Sequence, residues 1–260
     1  MKHLLLTMFA TLSMLLISPA YASDIDEISA HADEIRAAQK FKESISYQDP
    51  YEDFNRSMFD FNLAFHDTVG RPMVNVYKEV PSPLRTGVSN FFDNLGEPLS
   101  FTNSFLQGNV EDGLEGFMRF VINSTFGIFG LLDVATEAGL RSKDEDFGQT
   151  LQVWGFWQET NYLVLPVLGP TTTRGLVGDR TDALYDPVYN EWTDLDTQQT
   201  LRWKAADGFN TYYKVADLVD EMEKQVDPYL FARDSYIQYR NNKVYNGQAP
   251  LKPLDDFIFE

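Results

Sequence analysis

The stretch Phe120–Leu132, "FVINSTFGIFGLL", carries no charged side chain; the nearest charges are Arg119 before it and Asp133 after it. This segment limits the fold more than any other. Wound as a helix it is about 20 Å long at 1.5 Å per residue, against a bilayer hydrocarbon core of about 30 Å. It can dip into one leaflet or lie along an interface, and it cannot cross. Phe126, Ile128, Phe129, Leu131 and Leu132 cover most of a helix circumference. A helix that is apolar all round is either fully buried or lipid-facing, and the pattern admits both. Gly127 and Gly130 each oppose helix formation by about 1 kcal/mol relative to Ala, so the spacing predicts a bend there. Alanine at both positions is expected to fold normally.

The chain begins with Lys2, an apolar run "LLLTMFATLSMLLIS", Pro19 and Ala20-Tyr21-Ala22. This is the pattern of a secretory signal peptide over 1–22, with cleavage before Ser23. An uncleaved anchor is the alternative, because His3 to Ser23 holds no Asp, Glu, Lys or Arg. The whole chain has 21 Lys and Arg against 39 Asp and Glu, a net charge of −18, and its first 22 residues contain one of the bases and none of the acids. Such acidity argues against nucleic acid as a partner, because its binders concentrate Lys and Arg. It argues equally against recruitment by anionic lipid headgroups. Any membrane contact must then be hydrophobic. There is no Cys, which removes disulfides, thiol catalysis, thiolate metal sites and a lipidated cysteine. No second apolar run reaches the roughly 18 residues that suggest a transmembrane helix.

Beyond residue 22 the periodicity is helical almost throughout, so the expected fold class is all-α, in a single domain. An arm over 23–48 has a broken stripe of Ile25, Ile28, Ile35 and Phe41. The domain proper is expected over 49–241, with a loose tail over 242–260. In its first helix Phe54, Met58, Phe61 and Phe65 share one face, expected to be the core face. Gly70 and Pro72 should end it. A second helix has Ser82 as cap, Pro83 at its first position and an inner face of Leu84, Val88, Phe91 and Leu95, ending at Gly96 and Pro98. A third follows a cap at Asn109, with Leu114, Phe117, Met118 and Val121 inward. Further helices are expected around "QTLQVWGF", from a cap at Thr173 to Leu184, from Thr197 to about Val226, and over "PYLFARDSYIQYRN". "YLVLPVLGP" is strand-like, with Pro166 limiting it to an edge or a connection.

Catalytic patterns are missing: no HExxH, GxSxG, Walker loop or strand-linked GxGxxG occurs. His66 reads as a structural or surface residue. "KDEDFG" lacks the alternating oxygen ligands of a calcium loop and reads as a solvated charge run. Glu52, Asp53 and Asp60 show no partner for acid–base work. "NRS" and "NST" match the glycosylation pattern without further support. No enzyme activity, metal or cofactor is expected.

Five stretches in order carry a resemblance: "DPYEDFNRSMFDFN", "NLGEPLSFTNSFLQGNVEDGLEGFMRFVINSTFGIFGLLDVA", "FGQTLQVWGF", "YLVLPVLGPTTTRG" and "DPYLFARDSYIQYR". From Asp49 to Arg240 the chain resembles the MlaA/VacJ family of Gram-negative outer-membrane phospholipid-transport proteins. The resemblance implies a ring-like helical domain lying in one leaflet, the inner leaflet of the outer membrane, beside a trimeric porin. It implies a polar channel through which phospholipid that has strayed to the outer leaflet passes to a soluble periplasmic lipid carrier. This maintains lipid asymmetry without catalysis. On that reading Asn123, Phe126, Gly127, Ile128, Phe129, Gly130, Leu131 and Leu132 form the leaflet-inserted segment of the lipid route. The absence of a lipidated Cys departs from the family, as do Asn161 and Gly175, where a Gly and an acid are expected. The rival is a soluble periplasmic lipid-binding or scaffold protein with a closed hydrophobic cavity. A lipid esterase would need a nucleophile–base pair that is not visible.

Overall fold

The structure is a computed structural model that describes residues 49–157, 160–192 and 195–244. The expected signal 1–22, the arm 23–48 and the tail from 245 onward lie outside the described residues. Helices dominate: α1 (Glu52–Phe65), a π-helical turn (His66–Gly70), α2 (Arg71–Lys78), α3 (Ser82–Leu106), α4 (Val110–Thr125), α5 (Val134–Glu137) and α6 (Phe147–Val153) come first. A hairpin of β1 (Tyr162–Leu165) and β2 (Gly169–Thr172) precedes α7 (Thr173–Tyr185), a second π-helical turn (Val188–Trp192), α8 (Thr197–Met222) and α9 (Pro228–Val244). The last helix runs three residues past Asn241.

The helices present the opposite faces from those the apolar periodicity predicts. In α1 the inward residues are Asn55 and Phe59, while Phe54 and Phe61 are 49% and 48% exposed. In α4 the buried residues are Gly113, Gly116, Arg119 and Asn123, and the expected inner face, Leu114, Phe117 and Met118, is exposed. Leu84 and Val88 of α3 are exposed as well, while Asn94, Glu97, Ser100, Asn103 and Ser104 are buried. Apolar spacing identifies a helix and its stripe, but it does not say whether water or lipid lies outside. A polar residue buried in the interior must be hydrogen-bonded, and here the inward stripe is largely polar.

Two helices outlast their predicted stops. Instead of ending at Gly70 and Pro72, α1 passes through the π-helical turn into α2, where Pro72 falls in the first turn, where no N–H partner is required. His66 is buried in that turn, with Nε2 2.9 Å from Asp220 Oδ1 on α8 and Nδ1 against the Tyr212 hydroxyl. It is structural. Likewise α3 runs through Gly96 and Pro98 to Leu106. Its packing against α4 outweighs the hydrogen bond lost at Pro98, and edge-on aromatic pairs such as Phe101–Phe117 at 5.7 Å line the contact.

The strand-like stretch forms a two-stranded antiparallel hairpin in which Tyr162 faces Thr172 and Leu165 faces Gly169. Pro166 sits in its turn. Its outer edge is not left open. Asn55 Oδ1 accepts from Val164 N at 2.9 Å and Nδ2 donates to Tyr162 O at 3.0 Å; Asn62 Oδ1 accepts from Val167 N at 2.6 Å and Nδ2 donates to Leu165 O at 2.9 Å. Two asparagines one helical stripe apart thus serve as the missing neighbour strand. They also remove the unpaired backbone row that invites aggregation. Further along, Thr172, one residue before the expected Thr173, caps α7 by accepting from Gly175 N. Asp196 and Gln199 form a reciprocal capping box on α8, which continues through Gly208 to Met222.

The inverted α1 gives a direct test. Phe59 is buried and packs edge-on to Tyr229 at 5.7 Å, so Phe59→Ala should cost about 3 to 5 kcal/mol. Phe61→Ala, on the outer face, should cost under about 1 kcal/mol in detergent. Thermal melts of the two variants check the order; equal losses would mean that both rings face inward.

Candidate functional site

The uncharged segment is not one bent helix. α4 ends at Thr125, and from Phe126 the chain enters a loop in which Ile128, Phe129 and Gly130 have φ of 55°, 56° and 90°. Left-handed backbone at a β-branched residue is costly, of order 1–3 kcal/mol, and the loop's own hydrogen bonds hold it. Phe126 N and Gly127 N donate to Ile122 O, Phe129 N to Ser124 O, Gly130 N to Asn123 O at 2.9 Å, and Leu132 N to Gly127 O at 2.8 Å. The backbone is thereby closed on itself while the side chains point away: Phe126 is 75% and Phe129 77% exposed, and Ile128, Leu131 and Leu132 are exposed too.

Gly127, Gly130 and Asn123 are the buried members of the predicted site, and the two glycines do more than permit a bend. A Cβ at Gly127 would lie 2.1 Å from Leu132 O and 2.5 Å from Asn123 O, and one at Gly130 2.6 Å from Asn94 Cβ. Alanine at either position is therefore not tolerated by this fold, contrary to the expectation from sequence.

Beneath the loop lies a clamp whose parts the sequence showed only as the two charges bounding an uncharged run. Arg119 is buried. Its Nε donates to Glu97 Oε1 at 2.9 Å, one terminal nitrogen to Thr136 Oγ1 at 2.9 Å and Leu140 O at 2.8 Å, and the other to both Asp133 oxygens at 3.2 Å. Asn123 completes it, donating to Asp133 Oδ1 at 3.0 Å and accepting from Ala135 N at 2.9 Å. Both ends of the loop are thus tied to α3 and α5. Burial pushes the Glu97 carboxyl above its usual range, against the pull of the Arg119 guanidinium. Asp133 goes the other way. Partial burial opposes its charge, but the Thr136 hydroxyl and N–H, the Asn123 amide and Arg119 together hold it at about 2. A cavity of about 100 Å³ sits among Asn90, Asp93, Asn94, Glu97, Arg119, Asn123, Asp133 and Ser142.

A larger, open cavity, about 490 Å³, is lined by α3, the segment at 144–146, α7, α8 and α9, with Asp144, Asp179, Asp182, Asp186, Asp207 and Lys204 among its residues. Burial pushes Asp182 up to about 6, against hydrogen bonds from Phe147 N and the Asn103 amide, and raises Asp179 and Asp207 as well. The "KDEDFG" run belongs to this wall and is not a solvated tract. Glu145 is buried, Asp146 caps α6 and pairs with Arg240, and Asp144 pairs with Lys243 at 2.7 Å. Among the described residues no cluster of three or more His, Asp or Glu is placed to hold a metal. Both asparagines of the glycosylation-like triplets, Asn55 and Asn123, are buried and hydrogen-bonded.

Polar side chains inside, charged cavities between helices and large apolar side chains outside describe a helical protein with a large apolar surface for a partner to cover. Among the described residues no helix is long and apolar enough to cross a membrane. The chain belongs to the MlaA lipoprotein family, which matches residues 47–243. It is 36% identical over 80% of its length, and 82% of the relative's, to the intermembrane phospholipid transport system lipoprotein MlaA of Shigella flexneri. The protein of the same name in Haemophilus influenzae is 32% identical over 77% of this chain and 80% of that one. An uncharacterized protein of Rickettsia felis is 32% identical over 89% and 94%. A solved structure, reported under "Structural basis for maintenance of bacterial outer membrane lipid asymmetry", superposes with a TM-score of 0.66 at 33% identity, covering 76% of this chain and 99% of that one.

Two outcomes test the site. Gly127→Ala should open the loop and lower the melting temperature, with new protease cleavage between Phe126 and Leu132; an unchanged digest would mean the loop absorbs a Cβ. Asp133 has its carboxyl depressed from 3.8 to about 2, so its stabilisation is present above about pH 4 and is lost as pH falls toward 2, on the order of 2 kcal/mol. Melting curves of wild type and Asp133→Asn across that window should converge at the acid end.

Proposed function

We propose that this protein moves phospholipid between membranes, taking lipid misplaced in the outer leaflet of the outer membrane and passing it to a soluble periplasmic carrier. In this reading it sits in the inner leaflet beside a trimeric porin, with its exposed apolar side chains in lipid and its acidic cavities along the polar route. The observation that carries the reading is the inversion of α1, α3 and α4, with arginine, asparagine and glutamate buried while phenylalanine and leucine are exposed. The relatives' printed names support it, since they name intermembrane phospholipid transport. Residues 49–241 would form the transport domain. Asn123, Phe126, Gly127, Ile128, Phe129, Gly130, Leu131 and Leu132 would form its leaflet-inserted segment, with the loop deep enough to meet acyl chains and the clamp below it at headgroup level. Non-helical backbone at such depth is tolerated only where protein or a water-filled cavity covers it, which suits a loop whose amides are paired internally. The apolar surface and the porin contact would hold it in the membrane.

A strain lacking the protein should expose phospholipid on its surface and lose detergent tolerance, and the protein itself should fractionate with outer membranes in high salt. Recovery in the soluble periplasmic extract, with normal surface lipid in the deletion strain, would replace this reading with that of a soluble lipid binder.

A further inference from the structure

The larger cavity is walled by carboxylates that its ion pairs do not balance. In the segment before α6, Asp146 pairs with Arg240 and Asp144 lies 2.7 Å from Lys243, so both lining cations of α9 are committed. Glu145 is buried and accepts from the Gln107 amide. On the α7 side Asp182 is buried and Asp179 exposed, with Asp186 following the helix. On the α8 side stand a half-buried Asp207 and Lys204, whose ammonium lies 5.3 Å over the Tyr189 ring. Among the described residues Lys204 is the one lining cation outside an ion pair, and α3 adds only the uncharged Gly96, Leu99 and Ser100. Just beyond the lining, Arg180 acts on Asp179, and the paired Lys214 and Asp93 act on Asp207. Two helices, α7 and α8, thus bring carboxylates of one sign to a single open space.

Asp182 decides what a proton does here. Its Oδ1 accepts from Asn103 Nδ2 at 3.1 Å and its Oδ2 from Phe147 N at 2.9 Å. Asn103 belongs to α3 and Phe147 opens α6, so this carboxylate joins both to α7. Each carboxylate oxygen has two lone pairs. A proton can bind while both donors stay in place, and protonation then removes the charge without removing the joint. Burial, with Asp146 and Asp179 nearby, pushes Asp182 up to about 6 against those two hydrogen bonds. Burial, with Asp93 and Asp186, raises Asp207 in the same sense against Lys214. For a carboxyl raised in the folded state, the ionised form costs stability at high pH, and that cost falls away as pH drops through the folded value.

We propose that this cavity is a proton-controlled aperture: with Asp182 and Asp207 ionised, like charges hold α7 and α8 apart, and protonation in mild acid lets the two helices close on each other. The sign follows from the joint at Asp182. If its hydrogen bonds broke on protonation, acid would open the wall; because they persist, acid only removes repulsion. The device belongs to the fold and does not depend on what fills the cavity.

Hydrogen exchange of the full chain in detergent, read by mass spectrometry at about pH 7.5 and about pH 5 and corrected for the intrinsic pH dependence of exchange, reports local opening. Peptides over 179–186 and 204–210 should gain protection in acid by about fivefold to tenfold, the shift linked to one carboxyl raised by about two units. Peptides from α1 should not. An equal gain in α1 would assign the effect to the chain as a whole and overturn the proposal, as would unchanged or lower protection of α7 and α8 in acid. Asp207 has no hydrogen bond to lose among the described residues, so Asp207→Asn should raise the melting temperature and the protection of both peptides at neutral pH. Asp182→Asn sets an N–H against one of the two donors, so it melts lower at both pH values; its decisive readout is a protection that no longer changes between them. If both variants keep the full wild-type gain in acid, the proposal is wrong.

Discussion

One buried guanidinium organises this protein. Arg119 joins α3 through Glu97, the start of α5 through Asp133 and Thr136, and the chain beyond α5 through Leu140. Taking an arginine and two carboxylates out of water is expensive, and removing one partner of such a group costs about 3 to 5 kcal/mol, because the others stay buried without compensation. The clamp therefore fixes α3, α4, α5 and the loop as one unit. It also explains how an uncharged segment can leave its helix at Phe126 and return at Asp133 without collapsing into the core.

Asparagine does the same work at lower charge. Asn55 and Asn62 pair the outer edge of the hairpin, and Asn123 ties the two ends of the loop. Asn55 and Asn62 reach backbone groups more than a hundred residues away, and Asn123 bridges Asp133 and Ala135. Beside a small apolar core that includes Phe59, Val164, Tyr229 and Ile237, these satisfied polar pairs add stability in a low dielectric, where an unmade bond is costly. The apolar mass that would fill the core of a soluble protein is instead on the outside, where lipid, in the proposed seat, is its natural solvent.

The two cavities differ in how their carboxylates are balanced. Around the larger one, burial raises Asp179, Asp182 and Asp207 together, and neighbouring acids add to the effect. Beneath the loop, Glu97 and Asp133 are both paired with Arg119.

The sequence by itself determined the helical class, the starts of α3, α4, α7 and α8 within a residue, the strand-like nature of 162–165 and the special character of 120–132, while α2 and α5 carry no such local signal. It did so because periodicity, caps and runs of like residues are local properties. The five ordered motifs fixed the family, since their succession is also written along the chain. Which side of each stripe faces inward was decided by the tertiary structure. Phe54 and Phe61 lie outside and Asn55 inside because Asn55 finds Tyr162 and Val164 more than a hundred residues away, and no local pattern contains that partner. Helix ends at Gly70 and Pro98 were overruled for the same reason, by packing against α8 and α4. Gly127 and Gly130 read locally as a bend, yet what makes them obligatory is the approach of Leu132 O, Asn123 O and Asn94. The candidate site depends most on distance in sequence: Glu97, Arg119 and Asp133 are unremarkable acids and bases along the chain, and only the fold brings them within 3.2 Å of one another's charges.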